Sequence, residues 1–353
     1  MQSLPISILP AKNSRLSEVD FNHLEFGAIA SDHKFISEFS GDSWGNARIE
    51  PFGNLSVSPF ISGLHYGQTV FEGLKAFKRN DGKACLFRAD AHALRFNRSL
   101  ERMCMPAVPP EFFTEALEKL IHTDQAWIPD NTKGSLYIRP FMFASESRLG
   151  VKISSEYIFM IVCSPVGPYY EKFLQVKVER DYARSFPGGT GFAKCGGNYG
   201  GAFYPSRLAK EQGYDQVIWT DARNHEYLEE SGTMNIGFIL GDCLITPRIE
   251  DTLLSGITRD SILALAQSMG LAVEQRPVHY KELLDWKEKG LRVEAFGMGT
   301  AAVVAPIKAI DVEGQTLNTF CGQEAVMFRL KKELSDIRSG GRADVWGWIR
   351  QID

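Results

Sequence analysis

The pattern of apolar and polar positions along this 353-residue chain predicts both strands and helices. Residues 1–45 show no sustained period, and we predict an irregular lead-in there. Lys75–Phe87 has the pattern of a β-hairpin, in which Asn80–Gly82 supplies turn residues that tolerate a positive φ. The strongly apolar segments Ser135–Ala144 and Tyr157–Ser164 predict two longer strands.

Two helices are predicted between the hairpin and these strands. The first runs from about Asp90, a residue type that caps helix N-termini, to about Met103. The second covers about Glu111–Trp127, because its apolar residues recur on one face and Pro109 and Pro110 stand at its start. This half of the chain therefore mixes strands and helices without a strict alternation.

The second half follows Ser164–Tyr170, a segment with two prolines and a glycine that we interpret as a linker. Leu174–Arg180 then alternates polar and apolar residues, as a half-buried strand does. Further strands are predicted near Asp215–Trp219, Thr233–Leu240 and Arg292–Phe296, and helices near Gly200–Gln212, Thr258–Met269 and Tyr280–Lys289. The mixed order predicts an α+β fold of two domains, with helices packed on mixed sheets. We place a small N-terminal α/β domain at residues 1–167, the linker at 168–173 and a large domain at 174–353.

The composition excludes several classes of protein. Apolar residues make up 44% of the chain and charged residues 23%, which excludes a disordered chain, a collagen and a coiled coil. The net charge of −4 gives no broad basic field for nucleic acid, and no apolar run approaches the ~20 residues that span a bilayer. The six cysteines form no C-x-x-C pair, so the sequence predicts no zinc site and fits a reducing compartment. Because the first residues resemble neither a signal nor a transit peptide, we predict a cytoplasmic protein.

The most unusual segment is glycine-rich, with seven glycines among the fifteen residues of Pro187–Gly201. A flexible surface loop is the ordinary interpretation, but Phe192 and Ala193 are apolar and the only charge is Lys194. A phosphate-binding P-loop is excluded, because Ala193 and Cys195 flank this lysine where that motif needs glycine and Ser or Thr. A desolvated lysine can instead condense with an aldehyde, although most lysines are solvated surface charges.

Six short motifs occur along the chain, and one of them lies in this glycine-rich segment. They are Phe71-Glu-Gly-Leu-Lys-Ala-Phe77, Ser135-Leu-Tyr-Ile-Arg-Pro140, Lys194-Cys-Gly-Gly-Asn-Tyr199, Glu230-Ser-Gly-Thr-Met-Asn235, Leu254-Ser-Gly-Ile-Thr-Arg259 and Phe296-Gly-Met-Gly-Thr-Ala-Ala302. In this order, over about residues 26–309, they resemble the motifs of branched-chain amino acid aminotransferases, which are fold-type IV pyridoxal-phosphate enzymes. Some animal members carry a C-x-x-C pair after the last motif. Here residues 302–305 are Ala-Val-Val-Ala, which excludes a thiol switch at that place.

The resemblance implies a role for each residue that would hold the cofactor. Lys194 is the lysine to which the aldehyde of pyridoxal 5'-phosphate binds covalently, and the base that moves the substrate Cα proton. Tyr199 hydrogen-bonds the phenolate oxygen, and Glu230 pairs with the ring nitrogen and keeps it protonated. The phosphate is held by donors at helix starts and by one guanidinium. These phosphate ligands are Ile257, Thr258, Thr300 and Arg95.

Each of these roles has a structural alternative. Tyr199 could be an aromatic residue packed under a loop, and the adjoining Glu229 could replace Glu230 as the inward carboxylate. Arg95 could belong to a solvated stripe with Arg98 and Arg102, which follow it at helical spacing.

The resemblance also implies a pocket that takes branched aliphatic side chains and 2-oxoglutarate in turn. Its positions match Phe26, Tyr66, Phe71, Tyr137, Leu149, Val151, Tyr169 and Thr233. In the family, the residues at Tyr66, Leu149 and Val151 come from the partner subunit, so a homodimer with shared active sites is expected. Thr233 and the backbone of Thr300 and Ala301 would bind the α-carboxylate. We assign Arg139 and the tyrosine hydroxyls to the γ-carboxylate of glutamate, with a structural strand arginine as the alternative.

The sequence as a whole thus predicts a two-domain, D-amino-acid aminotransferase-like enzyme of fold type IV, whose C-terminal domain binds pyridoxal phosphate. Its expected reaction interconverts Leu, Ile or Val plus 2-oxoglutarate with the branched 2-oxo acids plus glutamate. Two alternatives are a D-amino-acid transaminase with the same fold and a ligand-binding protein without catalysis. Lys194 argues against the second, because a binding protein needs no reactive amine.

Overall fold

The structure, a computed structural model, describes residues 4–167 and 172–352. Its strands are β1 (Ser7–Ile8), β2 (His33–Ser40), β3 (Ser43–Pro51), β4 (Thr69–Phe71), β5 (Leu74–Lys78), β6 (Ala84–Phe87), β7 (Ser135–Ala144), β8 (Tyr157–Val166), β9 (Leu174–Val178), β10 (Gln216–Thr220), β11 (Leu228–Ser231), β12 (Met234–Leu240), β13 (Cys243–Thr246), β14 (Ala272–Gln275), β15 (Val293–Gly299), β16 (Val303–Val312), β17 (Gln315–Asn318) and β18 (Ile349–Ile352). Its helices are α1 (Ser62–Tyr66), α2 (Ala89–Arg102), α3 (Pro110–Thr123), α4 (Gly197–Gly200), α5 (Phe203–Glu211), α6 (Ile257–Ser268), α7 (Tyr280–Glu288) and α8 (Val326–Ser339).

The described chain divides into two compact units whose borders differ from a single break at residues 168–173. The first unit contains residues 4–167, 193–197 and 337–352, and the second contains 172–192 and 198–336. Residues 193–197 group with the first unit because they bond to β4, and the C-terminus does so because β18 pairs with β6. Of the predicted linker, residues 168–171 lie outside the described part of the chain, and β8 continues through Val166.

The described strands of the first unit form one mixed sheet in the order β1-β3-β2-β8-β7-β5-β6-β18, with β4 paired to β7. The predicted hairpin is confirmed as β5 and β6, although only Gly82 of its turn has a positive φ, of 82°. The irregular lead-in predicted for residues 1–45 is wrong, because β2 and the start of β3 lie there. Helices α2 and α3 pack on each other, and α3 also contacts β2.

Helix α2 begins differently from the prediction. Asp90 lies inside its first turn, whereas the N-cap residue is Arg88, which has a left-handed φ of 53° and makes no side-chain capping bond. Asp90 can still stabilise the helix, since a carboxylate in the first turn opposes the positive end of the helix dipole.

The second unit is built on a mixed sheet in the order β11-β10-β9-β16-β15-β12-β13-β14, with β17 paired to β16. An additional pairing of β11 with β12 closes six of these strands into a ring. Helices α6 and α7 pack against strands of this sheet, and the apolar side chains of α7 and of the strands form the core of this unit. The ring brings β11, the turn after it and the β15–β16 turn to one region of the unit, because β12 pairs with both β11 and β15.

In the described residues, no helix is both long enough and apolar enough to cross a membrane. All six cysteines are free thiols.

Candidate functional site

Lys194 is held by its backbone between β4 and α2 of the first unit. Its amide donates a hydrogen bond to Ser99 Oγ at 2.9 Å, and its carbonyl accepts one from the amide of Phe71 at 3.0 Å. Two residues on, the amide of Gly196 donates to the carbonyl of Thr69 at 3.2 Å. A Cβ on Gly196 would lie 2.7 Å from Thr69 Oγ1, so a larger residue there would require the threonine side chain to move. The lysine segment is therefore a fixed structure and not a flexible surface loop.

The side chain of Lys194 lies in a cluster of predicted substrate residues. Its Nζ is 4.8 Å from the ring centroid of Phe71, and Arg139 Cζ is 4.6 Å from the same centroid. Arg139 Nη2 donates to the hydroxyl of Tyr137 at 2.8 Å, and the ring of Phe26 meets that of Tyr137 edge-on at 4.8 Å. Among the described residues, the buried Nε of Arg139 has no hydrogen-bond partner. The ring of Phe71 thus lies near both a primary amine and an arginine, and the arginine continues the cluster to Tyr137.

Arg95 is buried and does not belong to a solvated stripe. Its Nε and Nη2 donate to the two carboxylate oxygens of Glu72 at 2.7 and 2.8 Å, and His92 Nδ1 lies 2.7 Å from Glu72 Oε2. Glu72 and His92 were not among the predicted site residues. A signal for Glu72 was present in the sequence, since a lone carboxylate within an apolar strand-forming segment needs a buried partner.

Glu230 is buried on β11 of the second unit, and its carboxylate is held at both oxygens. Oε1 accepts a hydrogen bond from the amide of Leu254 at 2.8 Å, and Arg184 Nε lies 3.2 Å from Oε2. Asn235 Nδ2 donates to the carbonyl of Leu254 at 3.0 Å, which fixes that amide in turn. Arg184 was missed, because nothing in its spacing to other motifs distinguishes it from a surface arginine.

The neighbouring Glu229 is also buried, so burial does not distinguish the two adjoining carboxyls. It lines a cavity of about 480 Å³ between the loops at 221–227 and 247–253. Burial raises the pKa of Glu229 to about 7; Thr252 and Arg184 oppose this rise, and the charges of Glu230 and Asp221 add to it. Its Oε2 has no hydrogen-bond partner in the described residues, so ionisation of this carboxyl is unfavourable in the folded protein.

The contribution of Glu229 to the free energy of unfolding is therefore expected to fall as the pH rises. The folded-state pKa lies above the unfolded value of 4.5, so the stabilisation is complete below pH 4.5 and is lost as the pH rises through about 7. We expect Glu229→Gln to raise the free energy of unfolding by roughly 2–3 kcal/mol at pH 8.5 and by much less at pH 5.5. Urea unfolding at both pH values measures this, with Glu250→Gln in the same cavity wall as control. An equal gain at both pH values would contradict the assignment.

The predicted phosphate ligands of the second unit lie at a helix start and in a strand turn. Helix α6 begins at Ile257, after the N-cap Gly256, and Thr258 in its first turn is buried. The first amides of a helix have no partner within it and can bind an anion. Thr300 and Ala301 lie in the turn between β15 and β16 and are partly buried.

Most of the remaining predicted site residues lie in a short helix, in a turn or on the surface. Tyr199 is partly buried in α4, and Thr233 is exposed in the turn between β11 and β12. In the first unit, Tyr66, Leu149 and Val151 are exposed, and the Tyr66 hydroxyl accepts a hydrogen bond from the amide of Gly150 at 3.1 Å. Tyr169 lies outside the described residues.

Comparison with known proteins decides the family. The model of amino-transferase class IV matches residues 69–310. Branched-chain-amino-acid transaminase 1 of Bacillus subtilis is 41% identical over 339 residues, which cover 94% of this chain and 95% of that protein. This chain belongs to the branched-chain-amino-acid aminotransferase family of class IV. The crystal structure of the Escherichia coli branched-chain amino acid aminotransferase has a TM-score of 0.73 and 25% identity, covering 91% of this chain and 99% of that one.

A further relative of the same fold is the branched-chain amino acid aminotransferase of Thermobaculum terrenum in its PLP form, with a TM-score of 0.74 and 22% identity, covering 91% of this chain and 99% of that one. Class IV aminotransferases use pyridoxal 5'-phosphate, and the residues of this family member suit that group. A primary amine, Lys194, lies beside the ring of Phe71, and a buried carboxylate, Glu230, accepts a hydrogen bond at one oxygen and pairs with Arg184 at the other. The predicted fold type IV is confirmed.

Proposed function

We propose that this chain is a branched-chain amino acid transaminase that moves the amino group of L-leucine, L-isoleucine or L-valine to 2-oxoglutarate, reversibly, with pyridoxal 5'-phosphate as cofactor. The observation that carries the proposal is the 41% identity to a branched-chain-amino-acid transaminase over nearly the full length of both chains. The reactive lysine predicted from the K-x-G-G-N-Y motif stands in an ordered segment, which supports the same conclusion.

When bound, the cofactor supplies an aldehyde that takes up the amino group and a ring that withdraws electrons from the substrate Cα. Lys194 would hold the cofactor through its amine, and the same amine would move the Cα proton of the substrate as a base. Its fixed backbone supports this role, because a proton-transfer group must stay within hydrogen-bond reach of its target. The amino acid and the 2-oxo acid would occupy the same site in turn, and Lys194 would serve as the base for both.

Residues of the second unit bind the ring of the cofactor. The Glu230 carboxylate holds a proton on the ring nitrogen, and the hydroxyl of Tyr199 donates to the phenolate oxygen. The phosphate is held by Arg95 and by donors of Ile257, Thr258 and Thr300. The buried position of Glu230 between Leu254 and Arg184 supports this assignment, since these contacts hold the carboxylate in one orientation.

Substrate recognition combines an apolar pocket with a cation. Phe26, Phe71 and Tyr137 exclude water around a branched side chain, and Arg139 pairs with the γ-carboxylate of glutamate. Among the described residues the buried Nε of Arg139 has no hydrogen-bond partner, which supports the second assignment, because a carboxylate would satisfy it. Thr233 and the backbone of Ala301 bind the α-carboxylate.

Absorbance spectroscopy of the purified protein tests the proposed function. The holoenzyme is expected to be yellow, to lose its aldehyde absorbance when L-leucine is added and to regain it with 2-oxoglutarate. D-alanine is the comparison substrate, and a bleaching by D-alanine but not by L-leucine would instead identify a D-amino-acid transaminase. A protein that binds the cofactor but responds to neither amino acid would be a binding protein only.

We propose further that the chain acts as a homodimer in which Tyr66, Leu149 and Val151 reach the partner's substrate pocket. What supports this is an exposed apolar face of the first unit, where Val151 is 90% exposed and Leu64 is 69% exposed. A soluble monomer rarely leaves such a cluster in water. The face consists of Phe60, Leu64, Tyr66, Leu149, Val151 and Ile153.

Charge placed on this face is expected to separate the dimer. Leu64→Asp should shift the sedimentation coefficient to that of a monomer and lower turnover of L-leucine, because a buried unpaired carboxylate opposes association. Val345→Asp is the matched control, since Val345 is 75% exposed but lies outside the face. A dimer of unchanged stability in the Leu64 variant would place the interface elsewhere.

We also propose a cytoplasmic location. The six scattered free thiols support it, because a reducing compartment preserves them.

A further inference from the structure

A buried charge cluster of the first unit lies next to the lysine segment and joins Arg95 to Glu72 and His92, two residues with no role in the reaction as proposed above. Glu72 is fully buried, and Arg95 and His92 are almost so. Both carboxylate oxygens of Glu72 accept from Arg95, through Nε at 2.7 Å and Nη2 at 2.8 Å. His92 Nδ1 completes the cluster at 2.7 Å from Oε2.

The protonation states follow from the surroundings. Although burial opposes its charge, the charge and hydrogen bonds of Arg95 and the hydrogen bond from His92 hold the pKa of Glu72 well below its usual range. Burial lowers the pKa of His92, and the nearby charges of Arg95 and Lys194 add to this effect. A neutral His92 therefore donates from Nδ1 to an ionised Glu72.

The cluster shares its supports with Lys194. Glu72 directly follows β4, and the last residue of β4, Phe71, donates its amide to the carbonyl of Lys194. On α2, Ser99 Oγ donates to the carbonyl of Arg95 at 3.1 Å and accepts from the amide of Lys194 at 2.9 Å. The same strand and helix thus fix the backbone of the lysine and the side chain of the arginine.

We propose that Glu72, supported by His92, is the positioning residue that fixes the Arg95 guanidinium at a set distance from Lys194, so that the arginine meets the phosphate of the cofactor without reorganisation. The inference rests on the proposed function, which assigns Arg95 to the phosphate. A flexible arginine would lose side-chain entropy on binding the phosphate, and a bidentate carboxylate removes that loss beforehand. Since Glu72 offsets the charge of Arg95, its contribution is geometric and not an increase in positive potential.

The test compares two ligands that differ only in the phosphate. Dissociation constants of pyridoxal 5'-phosphate and of pyridoxal are measured on the apo form of the full chain by absorbance titration. Glu72→Gln is expected to weaken pyridoxal 5'-phosphate binding about tenfold or more, the loss typical of removing a charged hydrogen-bond partner, and to leave pyridoxal binding nearly unchanged. Glu101→Gln, an exposed glutamate on the same helix, is the matched control and should change neither constant.

The inference fails if both ligands weaken by the same factor, which indicates a general loss of structure, or if neither weakens. His92→Leu covers the case in which Glu72→Gln does not fold, and it should change the ratio of the two constants in the same direction by a smaller factor. Arg95→Gln separates this inference from the proposed function. If that variant lowers phosphate-specific binding and the Glu72 and His92 variants do not, only the positioning role is overturned. If the Arg95 variant changes nothing, its assignment to the phosphate is wrong.

Discussion

Lys194→Ala is expected to abolish transamination of L-leucine while the protein remains folded. The side chain supplies the only amine of its motif, whereas the segment is held by backbone bonds to Phe71 and Ser99 that alanine retains. Turnover measured by glutamate formation should fall below detection, and the thermal unfolding midpoint should change little, because loss of one partly buried methylene chain removes little apolar contact.

The control for this change is Lys210→Ala, which removes an exposed lysine from α5. Borohydride reduction of the parent enzyme with bound cofactor, followed by peptide mass mapping, should label Lys194 and no other side chain. Turnover by the Lys194 variant in the absence of an added amine would contradict the assignment.

Glu230→Gln is expected to lower turnover by about 100-fold or more, the size of effect seen when one preorganised electrostatic group is removed from an active site. Glutamine keeps the shape and the bond from the Leu254 amide but cannot balance a proton on the ring nitrogen. The cofactor should remain bound, because Lys194 and the phosphate ligands are untouched. Turnover and the cofactor absorbance spectrum are measured together.

Glu229→Gln is the matched control, because it changes the adjoining buried carboxyl on the other face of β11. Its turnover should stay near that of the parent enzyme. If the Glu229 variant loses activity and the Glu230 variant does not, the pattern E-x-G-T-M-N selected the wrong glutamate.

Much of the fold follows from the period of apolar residues. β7 occupies the predicted Ser135–Ala144, and α6 and α7 begin within one residue of their predicted starts. β2 was not predicted because some of its buried residues are polar and therefore do not look buried in the sequence. One of them is His33, whose Nδ1 lies 2.6 Å from Oδ1 of Asp124, a residue 91 positions away. Pairing over such a separation leaves no local pattern in the sequence.

The candidate site was predictable to the extent that it consists of motifs. Phe71, Tyr137, Arg139 and Lys194 lie in three separate motifs, and the first unit brings them together. The residues that orient the motif residues were not predictable, since Arg184 and the other supports act through contacts that only the folded chain creates. Their residue types are those of ordinary surface positions, and burial alone distinguishes them.

Two later segments of the chain, 193–197 and 337–352, belong to the first unit, and this limits where the gene can be divided. A cut at residues 168–173 would give an N-terminal fragment without β18 and without the pentapeptide 193–197. β6 would then end the sheet as an unprotected edge, a surface prone to intermolecular strand pairing. Split-protein complementation at this site would therefore need both fragments in the same cell from the start, since neither carries a complete scaffold.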